Sequence, residues 1–147
     1  MLVEKVVIIL HIACAAVWFG ASLPVPGMVR RGLAGPADAK WMVGEVERLM
    51  RVSLIFGIVT IITGLILVLE AGGFQVVPHT IHWALLLAFG LLTVQLIAGK
   101  GIWQPLKRII LDGSDRAPLA GLQKRLAMTS GIRQLLWIVI LALMVFP

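Results

Sequence analysis

Four stretches of this sequence, at about residues 2–23, 52–70, 77–99 and 127–146, come close to the roughly 20 mostly apolar residues that a helix needs to cross a bilayer. This constrains the chain more than any other feature. In hydrocarbon every backbone N–H and C=O must find its partner within the protein, so only helices and closed barrels can span. The four runs lack the period-two alternation of barrel strands, and the expectation is therefore all-α: an integral membrane four-helix bundle, up and down, in one domain covering 1–147. Composition agrees, with 60% hydrophobic and only 14% charged residues in a chain of 147. The amino-terminal run is read as a true span rather than a secretory signal. Glu4 stands beside Lys5 at its start, and the apolar stretch from Val6 to Leu23 is long for a signal core.

Between the first two spans, "GPADAKWMVGEVERLMRV" places Trp41, Val46, Leu49 and Met50 at helical spacing among charges, which predicts an amphipathic helix over about 37–51 leading into span 2. Asp38 or a neighbour would cap it, close after Pro36. Lys100 to Asp112 is expected to continue span 3 beyond the membrane despite Pro105, and "DGSDRAP" to break the chain before span 4.

The basic residues set an orientation. Arg30, Arg31, Lys40, Arg48 and Arg51 precede or open span 2. Lys100, Lys107, Arg108, Arg116, Lys124, Arg125 and Arg133 lie between span 3 and the start of span 4. Of the 13 Lys and Arg residues only Lys5 falls on the other side. By the positive-inside rule the two basic loops face the cytoplasm and both termini face outward, as in a bacterial-type plasma membrane. The formal charge of +6 is thus topology, with anionic lipid contact, and no nucleic-acid footprint. Arg133 and Gln134 near the start of span 4 are expected to snorkel to the interface. The single cysteine, Cys14, excludes an internal disulfide and reads as a small buried hydrophobe.

On this topology all three histidines sit in the outer half of the membrane. His11 lies roughly 12 Å inside span 1, and His82 roughly 7 Å inside span 3, at 1.5 Å rise per residue. Spans 1 and 3 are diagonal in an up-down bundle, roughly 12–14 Å apart, a gap that suits a planar cofactor held edge-on between two imidazoles. Cys14 and Ala15 follow one turn after His11, and Ala13, Ala16 and Gly20 keep that helix slim. On span 3, His79, His82, Trp83 and Leu86 share one face at i, i+3, i+4 and i+7. Packing alone also calls for small residues, as at Gly57, Thr60 and Gly64 of span 2. His79 reads more simply as an interfacial histidine. His11 is hardest to explain without a function, because an ionisable group within the membrane is costly without a partner. No paired carboxylates, nucleophile–base pair, phosphate-binding glycine loop or zinc spacing supports hydrolytic chemistry.

The run "VVIILHIACAAVWFGASL" resembles the small membrane proteins related to the copper-resistance protein D family, and it is similar to the HemJ-type protoporphyrinogen oxidases. The shared arrangement is His-x6-Trp-x-Gly, here His11, Trp18 and Gly20. The resemblance implies a b-type haem between spans 1 and 3 with His11 as an axial ligand. The HemJ-type proteins use a lysine early in span 3, and "PHTIHWALLL" has none, so His82, or less readily His79, would be the second ligand. That departure points away from protoporphyrinogen oxidation and toward a bis-imidazole centre for electron transfer or redox sensing. If the protein is an enzyme, it is then a haem-dependent oxidoreductase.

The expected cofactor is therefore haem b, its iron on His11 and His82, with His79, Ala15, Trp18, Trp83 and Leu86 around it. A quinone or a periplasmic redox protein is the expected partner, and a homodimer packed through Gly57, Gly64 and Gly131 is open. Copper held by His11, His79 and His82 is the alternative, although Met28, Met42 and Met50 lie far from the histidines. A cofactor-free subunit, with His11 hydrogen-bonded to Thr93 or Gln134, is the third reading.

Overall fold

The computed structural model describes residues 2–33, 39–112 and 118–146, and all of its regular structure is helical. The elements in chain order are α1 (Leu2–Ser22), α2 (Val25–Gly32), α3 (Ala39–Glu70), α4 (His79–Ala98), a π-helical turn at Gly99–Trp103, α5 (Gln104–Asp112) and α6 (Leu119–Val145). Four helical segments are long and apolar enough to cross a membrane: Leu2–Gly32, Ala39–Glu70, His79–Asp112 and Leu119–Val145. The chain is a multi-pass α-helical membrane protein. The expected cap at Asp38 and the break at Gly113–Ala117 lie outside the described residues.

Helix α1 packs along α3, α4 packs along α6, and α3 meets α4, whereas α1 and α6 touch only lightly. The contacts between α1 and α3 run in opposite directions along the two helices: His11 lies against Gly64 and Trp18 against Gly57. This is an antiparallel bundle with α1 and α4 on a diagonal, as expected from the sequence. Two of its glycines are required by close approach. A β-carbon on Gly57 would stand 2.7 Å from the Trp18 ring, and one on Gly64 would stand 3.2 Å from His11. Gly131, by contrast, faces open space.

The predicted amphipathic helix runs without interruption into span 2 as α3. At the end of the bundle that carries the basic loops, its Met42, Val43 and Val46 form a core with Val25 and Val29 of α2, Trp103 and Leu106. Trp41 is turned away from this core and is 68% exposed. Helix α2 was not anticipated in the first loop. Its signals are Pro26 in the first turn, where no N–H is needed, and the i, i+4 pair Val25 and Val29. Glu47 of α3 accepts a charge-assisted hydrogen bond from Lys107 of α5 at 2.5 Å.

The helix of span 3 continues to Asp112, and the π turn is how it passes Pro105. A proline clashes with the carbonyl four residues back and donates no N–H. In this chain the residues just before it widen to i→i−5 bonding, as in Gln104 N–H to Gly99 C=O.

Candidate functional site

His11, Cys14 and Trp18 lie on one stripe of α1 at i, i+3 and i+7, and this stripe is laid against α3. Cys14 and Trp18 are buried. His11 Nδ1 stands 3.1 Å from the Thr60 carbonyl oxygen and 3.0 Å from Thr63 Oγ1. A carbonyl only accepts, so Nδ1 carries the proton and, in the neutral ring, Nε2 keeps its lone pair. The Thr63 hydroxyl donates in turn to the Val59 carbonyl at 2.8 Å, which leaves its oxygen free to accept from His11. This is the arrangement in which proteins fix a histidine that binds a metal through its other nitrogen. It is equally a complete structural hydrogen bond. The partners expected from the sequence are engaged elsewhere: Thr93 donates to its own helix at Phe89, and Gln134 reaches Ser130.

His11 lines an apolar cavity of about 180 Å³ enclosed by all four spans. Ala15 and Trp18 of α1 line it too, with Thr60, Ile61 and Gly64 from α3, Ile81, Leu85 and Ala88 from α4, and Trp137, Ile140 and Met144 from α6. Ile12, Leu141 and Met144, which flank the loosely packed seam between α1 and α6, are 61%, 46% and 37% exposed. The cavity is therefore open sideways, toward lipid.

Three of the seven residues expected at the site, His11, Ala15 and Trp18, meet in this cavity. The other four, His79, His82, Trp83 and Leu86, do not line it. Trp83 and Leu86 are each 59% exposed on the outer face of the bundle. His79 and His82 form a small surface cluster with ring centroids 5.8 Å apart, and Phe74 lies 5.7 Å from His82. The correction concerns the rotation of α4. It turns Ala84, Ala88, Leu91 and Gln95 inward, at i, i+4, i+7 and i+11. Its nearly uniform apolarity sets no rotation, so the small residues that permit close approach and the one amide that must be sheltered decide it. His82 Nδ1 is satisfied locally by the Pro78 carbonyl at 3.2 Å. Among the described residues, no group of three or more His, Cys, Asp or Glu side chains is placed to hold a metal ion.

Beneath the cavity lies a polar network that sequence reasoning missed. Trp18 Nε1 donates to Gln95 Oε1 at 2.9 Å, and Gln95 Nε2 donates to Ser53 Oγ at 3.2 Å. Ser53 Oγ closes the ring by donating to the Trp18 carbonyl at 3.1 Å. Arg133 Nη2 adds a second donor to Gln95 Oε1 at 3.0 Å. Arg133 therefore does not snorkel outward. Its guanidinium turns into the bundle, where one amide oxygen accepts from two spans. The signal was available in Ser53, Gln95 and Arg133, polar residues on three predominantly apolar spans.

No family model, curated protein or solved structure matches the chain. What the fold and site define is a class: a four-span helical membrane protein with a lipid-accessible apolar cavity holding one anchored imidazole.

Proposed function

We propose that this chain is a membrane b-type haem protein, with one haem between spans 1 and 3 and His11 as an axial ligand, working in electron transfer or redox sensing. The observation that carries this reading is the Nδ1 hydrogen bond from His11 to the Thr60 carbonyl, in a ring that lines an apolar four-helix cavity. The donor set fits a haem at this one position. Ordinary cofactor clefts hold about 300–1,000 Å³, more than the cavity itself, and the open α1–α6 seam gives a macrocycle the rest of its room.

When bound, the haem would supply a one-electron couple, with the protein setting its axial ligand and polarity. The residues of the chain do the rest. Thr60 and Thr63 orient the His11 ring and keep Nε2 unprotonated. Gly64 leaves space beside the ring. Ile61, Leu85, Ala88 and Ile140 exclude water, which favours the neutral state of any centre held there. His82 would have to turn in from the surface cluster on α4 to serve as second ligand, whereas Met144 is the sulfur already in the wall. In the membrane we place the basic loops in the cytoplasm and the cavity toward the outer side, within reach of a quinone or a periplasmic redox protein.

A second reading rests on the same hydrogen bond: His11, already satisfied by Thr60 and Thr63, serves only to join α1 to α3 in a cofactor-free subunit. Optical spectra of the purified protein separate the two. A Soret band with sharp reduced α and β bands, lost or broadened in His11→Ala, is the expected result. Parallel His82→Ala and Met144→Leu proteins identify the second ligand by which of them turns the spectrum high-spin. No Soret band after haem supplementation overturns the haem reading.

A further inference from the structure

Arg133 sits about 18 Å from the Val145 end of α6 and about 21 Å from its Leu119 end, at 1.5 Å per residue, so the charge is carried well inside this helix, toward the end of the bundle that holds the basic loops. Its one hydrogen bond among the described residues goes to Gln95 Oε1, and its Nε is buried with no partner. The ion pairs among the described residues are Arg48 with Glu45 and Lys107 with Glu47, so no carboxylate there balances Arg133. The nearby polar groups do not make up the difference. Gln95 Oε1 already accepts from Trp18 as well, and the hydroxyls of Ser53 and Thr129 donate to the Trp18 and Arg125 carbonyls. The Ser130 hydroxyl accepts from Gln134 at 3.5 Å and donates to no acceptor among the described residues. The site thus carries one net positive charge and an excess of donors.

Beside the guanidinium is a recess of about 30 Å³ whose polar lining is Ser22, Ser53, Gln95, Thr129, Ser130 and Arg133, the rest of its wall being apolar. A single water-sized occupant needs about 10–15 Å³. The recess takes a particle of one or a few atoms and is too small for a phosphate ester.

We propose that this recess binds a small monovalent anion of halide size, held by the Arg133 guanidinium and the Ser130 hydroxyl. Water would pair the free N–H groups but leave the charge uncompensated in a medium that penalises it heavily. An anion does both. The basic loops at this end of the bundle raise the local anion concentration. The proposal is independent of the haem reading: the recess and the apolar cavity share no lining residue.

The test is binding of radiolabelled chloride to the detergent-purified protein in gluconate buffer, with and without added haem. Saturable binding, displaced by bromide and nitrate, is expected in wild type and in the exposed control Arg51→Gln. Arg133→Gln should lose it, and Ser130→Ala should weaken it several-fold. Absence of saturable binding in wild type overturns the proposal, as does full retention in a folded Arg133→Gln protein. Should Arg133→Gln fail to fold, Ser130→Ala decides, and unchanged affinity there overturns the site. Occupancy by co-purified anionic phospholipid, with no chloride bound after its removal, also overturns it.

Discussion

The indole N–H of Trp18 and the amide oxygen of Gln95, 2.9 Å apart, tie together the two helices that stand diagonally across the bundle. Diagonal helices in a four-helix bundle seldom touch, and here a long side chain from each bridges the centre. Because Gln95 also accepts from Arg133 and donates to Ser53, a single amide joins all four spans.

Gln95→Leu removes the acceptor for two donors at once. A buried donor left unpaired costs about 1–3 kcal/mol, while an interhelical hydrogen bond within a membrane averages only about 0.6 kcal/mol. Gln95→Leu should therefore destabilise the protein by more than Trp18→Phe in loss of hydrogen bonding, since the latter removes a donor and leaves Gln95 an acceptor for Arg133. Helicity followed through a denaturing detergent titration measures both. Equal midpoints for Gln95→Leu and wild type would show that the network carries no stability.

Gly57→Ala puts a methyl group 2.7 Å from the Trp18 ring, and overpacking of this kind costs about 1–3 kcal/mol. Gly90→Ala, where a β-carbon meets nothing within 4 Å, should be neutral or stabilising by up to about 1 kcal/mol through helix propensity. The same titration should lower the midpoint for Gly57→Ala and leave that for Gly90→Ala unchanged or raised.

Thr63→Val takes one of the two acceptors from His11 Nδ1 and leaves the Thr60 carbonyl in place. The loss should stay near 1 kcal/mol. If a haem is bound, its reduced spectrum should stay low-spin while its midpoint potential moves, because the partner of the distal ring nitrogen tunes ligand basicity. A redox titration of the variant reads this directly.

Trp83→Ala and Leu86→Ala remove side chains that face away from the cavity. Each should change stability by no more than about 0.5 kcal/mol and leave any haem spectrum unaltered. A spectrum lost in Trp83→Ala would restore the rotation of α4 expected from the sequence alone.

That rotation shows where the sequence was readable. The ends of α1 and α4 fall close to the expected 2–23 and 77–99, because hydropathy over twenty residues is a strong signal. The diagonal placement of spans 1 and 3 followed from the order of helices. Which face of α4 points inward did not, because Trp83, Leu86 and Phe89 are as apolar as Ala84, Ala88 and Leu91. Only Gln95, counted back by whole turns, identifies the inner face. Arg133 was misread for a related reason: a long cationic side chain reaches either the interface or a partner, and its partner lies 38 residues away in sequence. His11 was recognised as a residue in need of an explanation, but of its two acceptors on α3 Thr60 was read only as a packing residue and Thr63 was not singled out.

The light contact between α1 and α6 also bears on how the molecule comes together. The bundle is two helical pairs, α1 with α3 and α4 with α6, joined chiefly along α3 and α4 like the leaves of a book along its spine. Each leaf has its own internal packing, so the first can settle in the membrane before the second is complete, and docking of preformed helices follows. Neither leaf contains the cavity, whose walls come from both. The chamber around His11 therefore exists only when the two leaves are together, and a lipid-borne occupant has its way in along the fore-edge, where the book already stands slightly open.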